Sequence, residues 1–223
     1  MFQFEKEFLA ILSNLNKSNA LKHLVLIGSW VLQVYREYYN IGKFQFTTSD
    51  VDFSVIRPRD PLKISTPTIH ETLTEMGYIP QFSILTKSEK YIPALESAEN
   101  KLSIEFLCEP GRHIQVAYKI KGLGIVATPI TYQRVLLENT ETLNYKGIPV
   151  NVPGPVYWAI HKIAVSQKRS GKSAKLKMIK DLQGARIIVD FIGIKEVLST
   201  ASQFKGKFLK SFQKGWDILI KDF

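Results

Sequence analysis

Cysteine is nearly missing from this chain. Cys108 is the single one in 223 residues, which excludes an internal disulfide framework and any zinc site built on several thiolates. Long apolar runs are missing too. The best of them, "LVLIG" and "IIVDFIG", fall far short of the length needed to cross a bilayer. The N-terminal "MFQFEKEFLAIL" has acids where a secretory leader needs a basic start and an unbroken apolar stretch. The four histidines, His23, His70, His113 and His161, show no metal-ligand spacing. No repeat or low-complexity tract is present. These absences set the expectation of a cytoplasmic protein in reducing surroundings, with no membrane partner.

The composition that remains, 45% hydrophobic and 22% charged, is that of an ordinary globular chain. Its length allows one sizeable domain and a smaller lobe. The net charge of +10 is unevenly placed. Residues 1–150 hold 16 Lys/Arg against 15 Asp/Glu, whereas residues 151–223 hold 14 against 5. A near-neutral body with a basic lobe able to meet a polyanion is one reading. Plain solubility is the other.

Hydrophobic periodicity predicts helices over 4–19, from "SWVLQVYREYY" with Ser29 as N-cap, and over 67–78, stopped by Gly77. "LKHLVLIG" ends a short β-type run at Gly28, and "NIGKFQ" reads as a turn. From 79 to 150 the runs "YIPQFSIL", "KYIPAL", "KLSIEFLCE", "HIQVAYKI" and "YKGIPVNV" read as strands, interrupted by a helical stretch at 129–137. Beyond "VPGP" the period turns helical, with helices expected at 155–167, 174–191 and 205–222. The boundary is therefore placed near 150, between a first domain (1–150) and a basic helical C-terminal lobe (151–223).

The chemistry is concentrated in "TTSDVDFSV", residues 47–55. Val51, Phe53 and Val55 alternate with Asp50, Asp52 and Ser54, so a strand would send both aspartates to one face, a little under ~7 Å apart. Two like charges so placed need a proton or a cation between them. A solvent-facing edge strand that happens to carry two acids is the plainer alternative. In "KLSIEFLCE", Glu105 is likewise an acid inside a buried-type strand. If the two strands are neighbours, three carboxylates meet, and an all-oxygen set favours Mg²⁺ or Mn²⁺. Gly28-Ser29, where a strand turns into a helix, offers backbone N–H groups and a hydroxyl to a phosphate. A divalent-metal site beside a phosphate cradle is the equipment of phosphoryl transfer.

"IGSW…TSDVDFSV…SIEFLC" resembles the polymerase-β-type nucleotidyltransferase superfamily, with its Gly-Ser turn, alternating Asp pair and third acid on a later strand. "VPGPVYWAIHKIAVSQKR…KMIKDL" is similar to the AbiEii-like branch known from toxin–antitoxin systems. Lys162 matches that branch's first lysine, and Lys180-Asp181 its Lys-Asp pair. Two departures stand out. The 20 residues between Ser29 and Asp50 are about twice the family's usual gap, and Gly184 stands where the family's motif has a second aspartate.

The resemblance implies an α+β fold: a mixed sheet with flanking helices, followed by a C-terminal helical lobe. It implies transfer of a nucleoside monophosphate from an NTP to an acceptor hydroxyl. In that scheme Asp50, Asp52 and Glu105 hold Mg²⁺ or Mn²⁺, and Glu105 also helps to deprotonate the acceptor. Gly28, Ser29, Lys162 and Lys180 bind the nucleotide, while Asp181 orients Lys162 or touches base or ribose. Lys168, Arg169, Lys172, Lys175 and Lys177, in a Gly/Ser-containing loop and the helix after it, are candidate contacts to an RNA acceptor such as tRNA. A cognate antitoxin is a candidate partner. His161 reads as a base or, more plainly, as a surface histidine, and Lys162 alone would pass for a surface lysine. The main alternative function is an inactive nucleotidyltransferase-like module that binds nucleic acid or protein. A small-molecule enzyme with a sugar acceptor is another, although a cationic acceptor would suit an acidic lobe better than this basic one. An enzyme that nucleotidylates a protein hydroxyl is a third.

Overall fold

The computed structural model describes residues 2–42, 48–56, 67–83, 88–94, 102–110 and 117–222. Helix α1 (Phe2–Lys17) places Phe8, Ile11, Leu12 and Leu15 on one stripe, and all four are fully buried. A 3₁₀ turn leads to β1 (Leu24–Leu26), followed by α2 (Val31–Tyr39) and β2 (Asp50–Val55). Helix α3 (Ile69–Glu75) starts at a capping box between Thr68 and Glu71. Then come β3 (Tyr78–Ser83), β4 (Ser88–Pro93), β5 (Ser103–Cys108), β6 (Tyr118–Ile120), β7 (Ile125–Pro129) and α4 (Gln133–Leu137). Strands β8 (Thr140–Tyr145) and β9 (Ile148–Pro153) form a hairpin. Its turn residues, Lys146 and Gly147, both have positive φ, as a tight two-residue hairpin turn requires. Helices α5 (Pro155–Ser166), α6 (Ala174–Ile192), α7 (Ile194–Ala201) and α8 (Gly206–Asp222) complete the chain.

The large sheet is mixed, in the order β1-β2-β5-β4-β3, with β7 joined to the end of β5 and β6 outside β7. β2 runs parallel to β5 and antiparallel to β1. It therefore lies inside the sheet, and the edge-strand reading of its aspartates falls. One continuous core reaches from Phe8 on α1 to Leu219 on α8. Among the C-terminal helices, a Cβ at Gly215 would overlap the Ile163 carbonyl, so glycine is what lets α8 approach α5 this closely.

The α+β expectation holds, with local corrections. The stretch expected to be helical from 129 opens as strand, because Leu107 and Cys108 of β5 pair with Thr128 and Pro129; helix begins only at Gln133. Ser29 is not an N-cap: α2 starts one residue later, after Trp30, with no side-chain cap. β8 escapes a sequence reading because its exposed positions are uniformly polar. α7 escapes it because Gly193, at φ 99°, separates it from α6. Residue 150 lies inside β9. Parts of the expected turn at 40–45 and of the strand runs at 78–85, 90–95, 101–109 and 113–120 lie outside the described residues.

Candidate active site

Parallel pairing of β2 and β5 sets Asp52 directly opposite Glu105, and Asp50 opposite Ser103. Two carboxylates thus stand side by side on one sheet face. Burial, with Glu105 next to it, pushes the Asp52 carboxyl up to about 6, against the pull of Lys162. Asp50 is in a different state. Burial would raise it, but Lys90 Nζ, at 2.6 Å from Oδ1, and the Ser103 hydroxyl, at 2.8 Å, hold it below the ordinary carboxylate range. Lys90 lies opposite Glu105 on β4, and its ammonium is 3.8 Å from Glu105 Oε1. Asp52 and Glu105 are thus neighbours across the two strands, while Asp50 is tied to Lys90 and Ser103. Among the described residues no three or more His, Cys, Asp or Glu side chains are gathered around one metal position.

Gly28 fits the pair. It has φ 65°, and a Cβ there would overlap the Asp52 carboxylate, so only glycine allows that side chain to lie against the turn. The turn is pinned from two sides. Ile27 N–H donates to the Asp52 carbonyl at 2.8 Å, and Trp158 Nε1–H donates to the Gly28 carbonyl at 2.9 Å. Ser29 sits next in this turn, half-buried.

Helices α5 and α6 form the basic side. Gly28, Asp52, Glu105, Lys162, Lys168 and Arg169 all line one cavity of about 280 Å³. Lys162 is only 7% exposed, so it is no surface lysine. Its Nζ donates to Asp181 Oδ1 at 2.9 Å and lies 5.5 Å from the centre of the Trp158 ring. Arg169 holds the other oxygen of Asp181 through Nε at 2.6 Å and Nη2 at 2.5 Å. Burial works against the Asp181 anion, but these two cations outweigh it and keep its carboxyl below the usual range. Burial and neighbouring Lys162 lower the half-buried Lys180 ammonium, against the opposing pull of Asp50, Asp181 and Asp52.

Of the expected nucleic-acid contacts, Arg169 is thus committed to Asp181. Lys168, Lys172, Lys175 and Lys177 are exposed, on the loop after α5 and the first turns of α6. Gly184 faces inward: a Cβ there would stand 3.2 Å from the Trp158 ring and 3.4 Å from Leu32. Where the family's motif has an aspartate, α6 here packs closely against Trp158.

Two features of the site escape a sequence reading, Lys90 and the true setting of His161. The signal for Lys90 is its alternation with inward-facing Tyr91 in "SEKYIP". His161 is only 6% exposed and lines the cavity, so the surface reading is wrong. The signal is "YWAIHKIAV", a helix too apolar all round to lie on a surface.

A family model described as Nucleotidyltransferase matches residues 6–204. The chain belongs to the nucleotidyltransferase family. It is accordingly a transferase whose chemistry is nucleoside monophosphate transfer, with an NTP as substrate. Solved structures agree on the fold. The crystal structure of ANT(2'')-Ia in complex with adenylyl-2''-tobramycin aligns with TM-score 0.52 and 11% identity, covering 97% of this chain and 99% of that one. The solution structure of the antibiotic-resistance factor ANT(2'')-Ia aligns with TM-score 0.50 and 12% identity, covering 96% and 94%. No curated protein matches the chain. Among the described residues no helix is long and apolar enough to cross a membrane.

Proposed function

We propose that this nucleotidyltransferase is Mg²⁺- or Mn²⁺-dependent and transfers the nucleoside monophosphate to a hydroxyl of RNA, as a toxin of the AbiEii-like kind. The observation that carries the reading is the shared cavity. Asp52 and Glu105 stand in register on one side, Lys162 enters from α5, and the exposed lysines continue outward from Lys168.

The donor set suits a divalent cation. Two carboxylate groups abut, and the raised Asp52 means that their mutual repulsion is not neutralised by the protein alone. Asp52 and Glu105 would hold the metal, with Asp50 beside them once Lys90 lets it go. A bound Mg²⁺ or Mn²⁺ supplies positive charge where the phosphate oxygens gain negative charge. The chain's own residues do the rest. The Gly28 turn gives the phosphates a close backbone approach, and Ser29 lies next to it. Lys162, fixed by Asp181 and Trp158, offers a pre-oriented ammonium, with Lys180 behind it on α6. The acceptor oxygen bonds to the α-phosphorus, the bond to the outgoing pyrophosphate breaks, and Glu105 takes the hydroxyl proton. Positioning and electrostatics supply most of what such a reaction needs.

In this reading the sheet domain and the basic helices are two sides of one site. The wall from Lys162 to Arg169 is a poor match for a cationic small molecule and a good one for a polyanion. Gly184 packs closely against Trp158, which supports a packing reason for the change from the family's motif. The test is to incubate the protein with each labelled NTP, Mg²⁺, and total cellular RNA or protein. Label in the RNA fraction is expected. Label in protein only, or in neither, would refute the RNA assignment.

A further inference from the structure

His161 precedes Lys162 on α5 and is almost wholly shielded from solvent. Neither Nδ1 nor Nε2 has a hydrogen-bond partner among the described residues. Two unpartnered polar atoms in such a place are costly, and native structures rarely keep them without a use. The residue borders the cavity that holds Asp52, Glu105 and Lys162, although both ring nitrogens are closed to water in this structure. Burial, with the Lys162 charge close behind, pushes its imidazole down to about 3. The ring is therefore neutral at working pH and carries one N–H donor and one bare acceptor nitrogen. The base role considered from sequence does not suit it.

We propose that His161 is a specificity-determining residue whose neutral imidazole, reached when bound substrate parts the side chains around it, hydrogen-bonds a hydroxyl of that substrate. A phosphate oxygen only accepts, so it can meet this ring at the N–H nitrogen alone. Lys162 and Lys168 line the same cavity and, as cations, suit phosphate better than a neutral ring does. A hydroxyl both donates and accepts, and so can satisfy either nitrogen. The candidates are the 2'- and 3'-hydroxyls of the nucleotide's ribose and the hydroxyl of the acceptor. The inference rests on the nucleotidyl-transfer reading and adds to it the group that this wall recognises.

The test compares the whole protein with His161→Leu, in Mg²⁺, by titration calorimetry with ATP, 2'-deoxy-ATP and 3'-deoxy-ATP. If ATP does not bind, the other NTPs and their deoxy forms take its place. A contact to ribose makes the parent prefer the ribonucleotide about 5- to 10-fold over one deoxy form, and His161→Leu erases that preference. A contact to the acceptor leaves nucleotide affinity equal in both proteins and raises the KM for RNA by a similar factor. His161→Leu should melt at or above the parent temperature without ligand, because it removes an unpartnered polar ring. Unchanged nucleotide affinity together with unchanged KM overturns the inference, whatever the melting temperature. If His161→Leu does not fold, imidazole ¹⁵N spectra of the parent decide. Shifts of the His161 nitrogens on adding nucleotide or RNA support the contact, and nitrogens indifferent to both overturn it. A parent protein that binds no NTP removes the nucleotidyl-transfer reading and this inference with it. A parent that binds NTP beside an indifferent His161 removes the inference alone.

Discussion

Asp52, half-buried on the cavity wall, and Asp181, buried behind it, are the same residue type and are perturbed in opposite directions. Asp181 sits between Lys162 and Arg169, and its carboxyl is held low. Asp52 sits against Glu105 and is pushed up to about 6. The first is a carboxylate whose charge the protein has already matched. The second is one whose charge still lacks a partner. Sites that must receive a cation keep such a deficit, whereas parts that must stay still remove it. The helical side thus reads as a rigid holder for Lys162, and the sheet side as the place where something binds.

The most damaging way to disturb this contrast is to break the matched side. Asp181→Ala leaves Lys162 buried without its hydrogen-bonded counter-charge, a change that typically costs about 3–5 kcal/mol. For a chain of this size that corresponds to a fall in melting temperature of roughly 10 °C. Urea unfolding should show it, and pairing Asp181→Ala with Lys162→Met should recover much of the loss. A cost below about 1 kcal/mol for the single change would mean that the pair is loosely solvated and the holder is not rigid.

On the unmatched side the expected loss is of rate. Glu105→Gln keeps size and hydrogen bonding but removes one of the two adjacent charges. Turnover should fall by a factor of ~100, the usual scale for removing a charge-stabilising group. The melting temperature without metal should hold or rise, since the repulsion on Asp52 is relieved. A variant that turns over like the parent would take Glu105 out of the machinery.

The pH dependence gives a smaller, signed effect. A carboxyl raised in the folded state binds its proton more tightly there than when unfolded, so its contribution is most favourable below the ordinary carboxylate range. That contribution is lost as pH rises toward about 6. Without metal, the melting temperature of Asp52→Asn should therefore gain on the parent by a few degrees between pH 4 and pH 7. Lys90→Met should do the reverse and steepen the parent's slope, because the Lys90 charge lowers the Asp52 carboxyl. Added Mg²⁺ should raise the parent's melting temperature more than that of Asp52→Asn. Equal Mg²⁺ responses would sink the metal assignment.

The sheet side is more legible in the sequence than the helical side, for a physical reason. Strand alternation fixes which face a side chain takes, so the letters of "DVDFSV" and "SIEFLC" are enough to declare an acidic face. What alternation cannot declare is the neighbour. Lys90 and Ser103 claim Asp50 only because β4 and β2 flank β5, a long-range pairing. On α5 the pattern is apolar nearly all round, so periodicity does not say which way Lys162 and His161 point. Their burial follows from α6 and α8 closing over α5, and that depends on small residues at Gly184 and Gly215. Gly184 shows the limit from the other direction. As a motif position it reads as a loss, and as a contact with Trp158 it reads as a fit.

The smallest expected effect concerns the exposed lysines, where the comparison passes from the cavity to the surface. Arg169 belongs to the matched side through Asp181, so it is not a free contact for RNA. Lys172, Lys175 and Lys177 remain exposed, with Leu176 among them 73% exposed. If all three meet phosphates of a single strand, each releases counterions, and replacing them with Ser should reduce the log–log salt slope of RNA binding by roughly 2. NTP affinity should be unchanged, because none of the three lines the cavity. Arg169→Ser should behave differently, lowering the melting temperature and altering the salt slope less than the triple change does. Fluorescence anisotropy with a labelled RNA at several salt concentrations separates the two. An unchanged salt slope in the triple variant would return these lysines to the role of a solvated loop and helix start. RNA would then have to be held by the cavity wall alone.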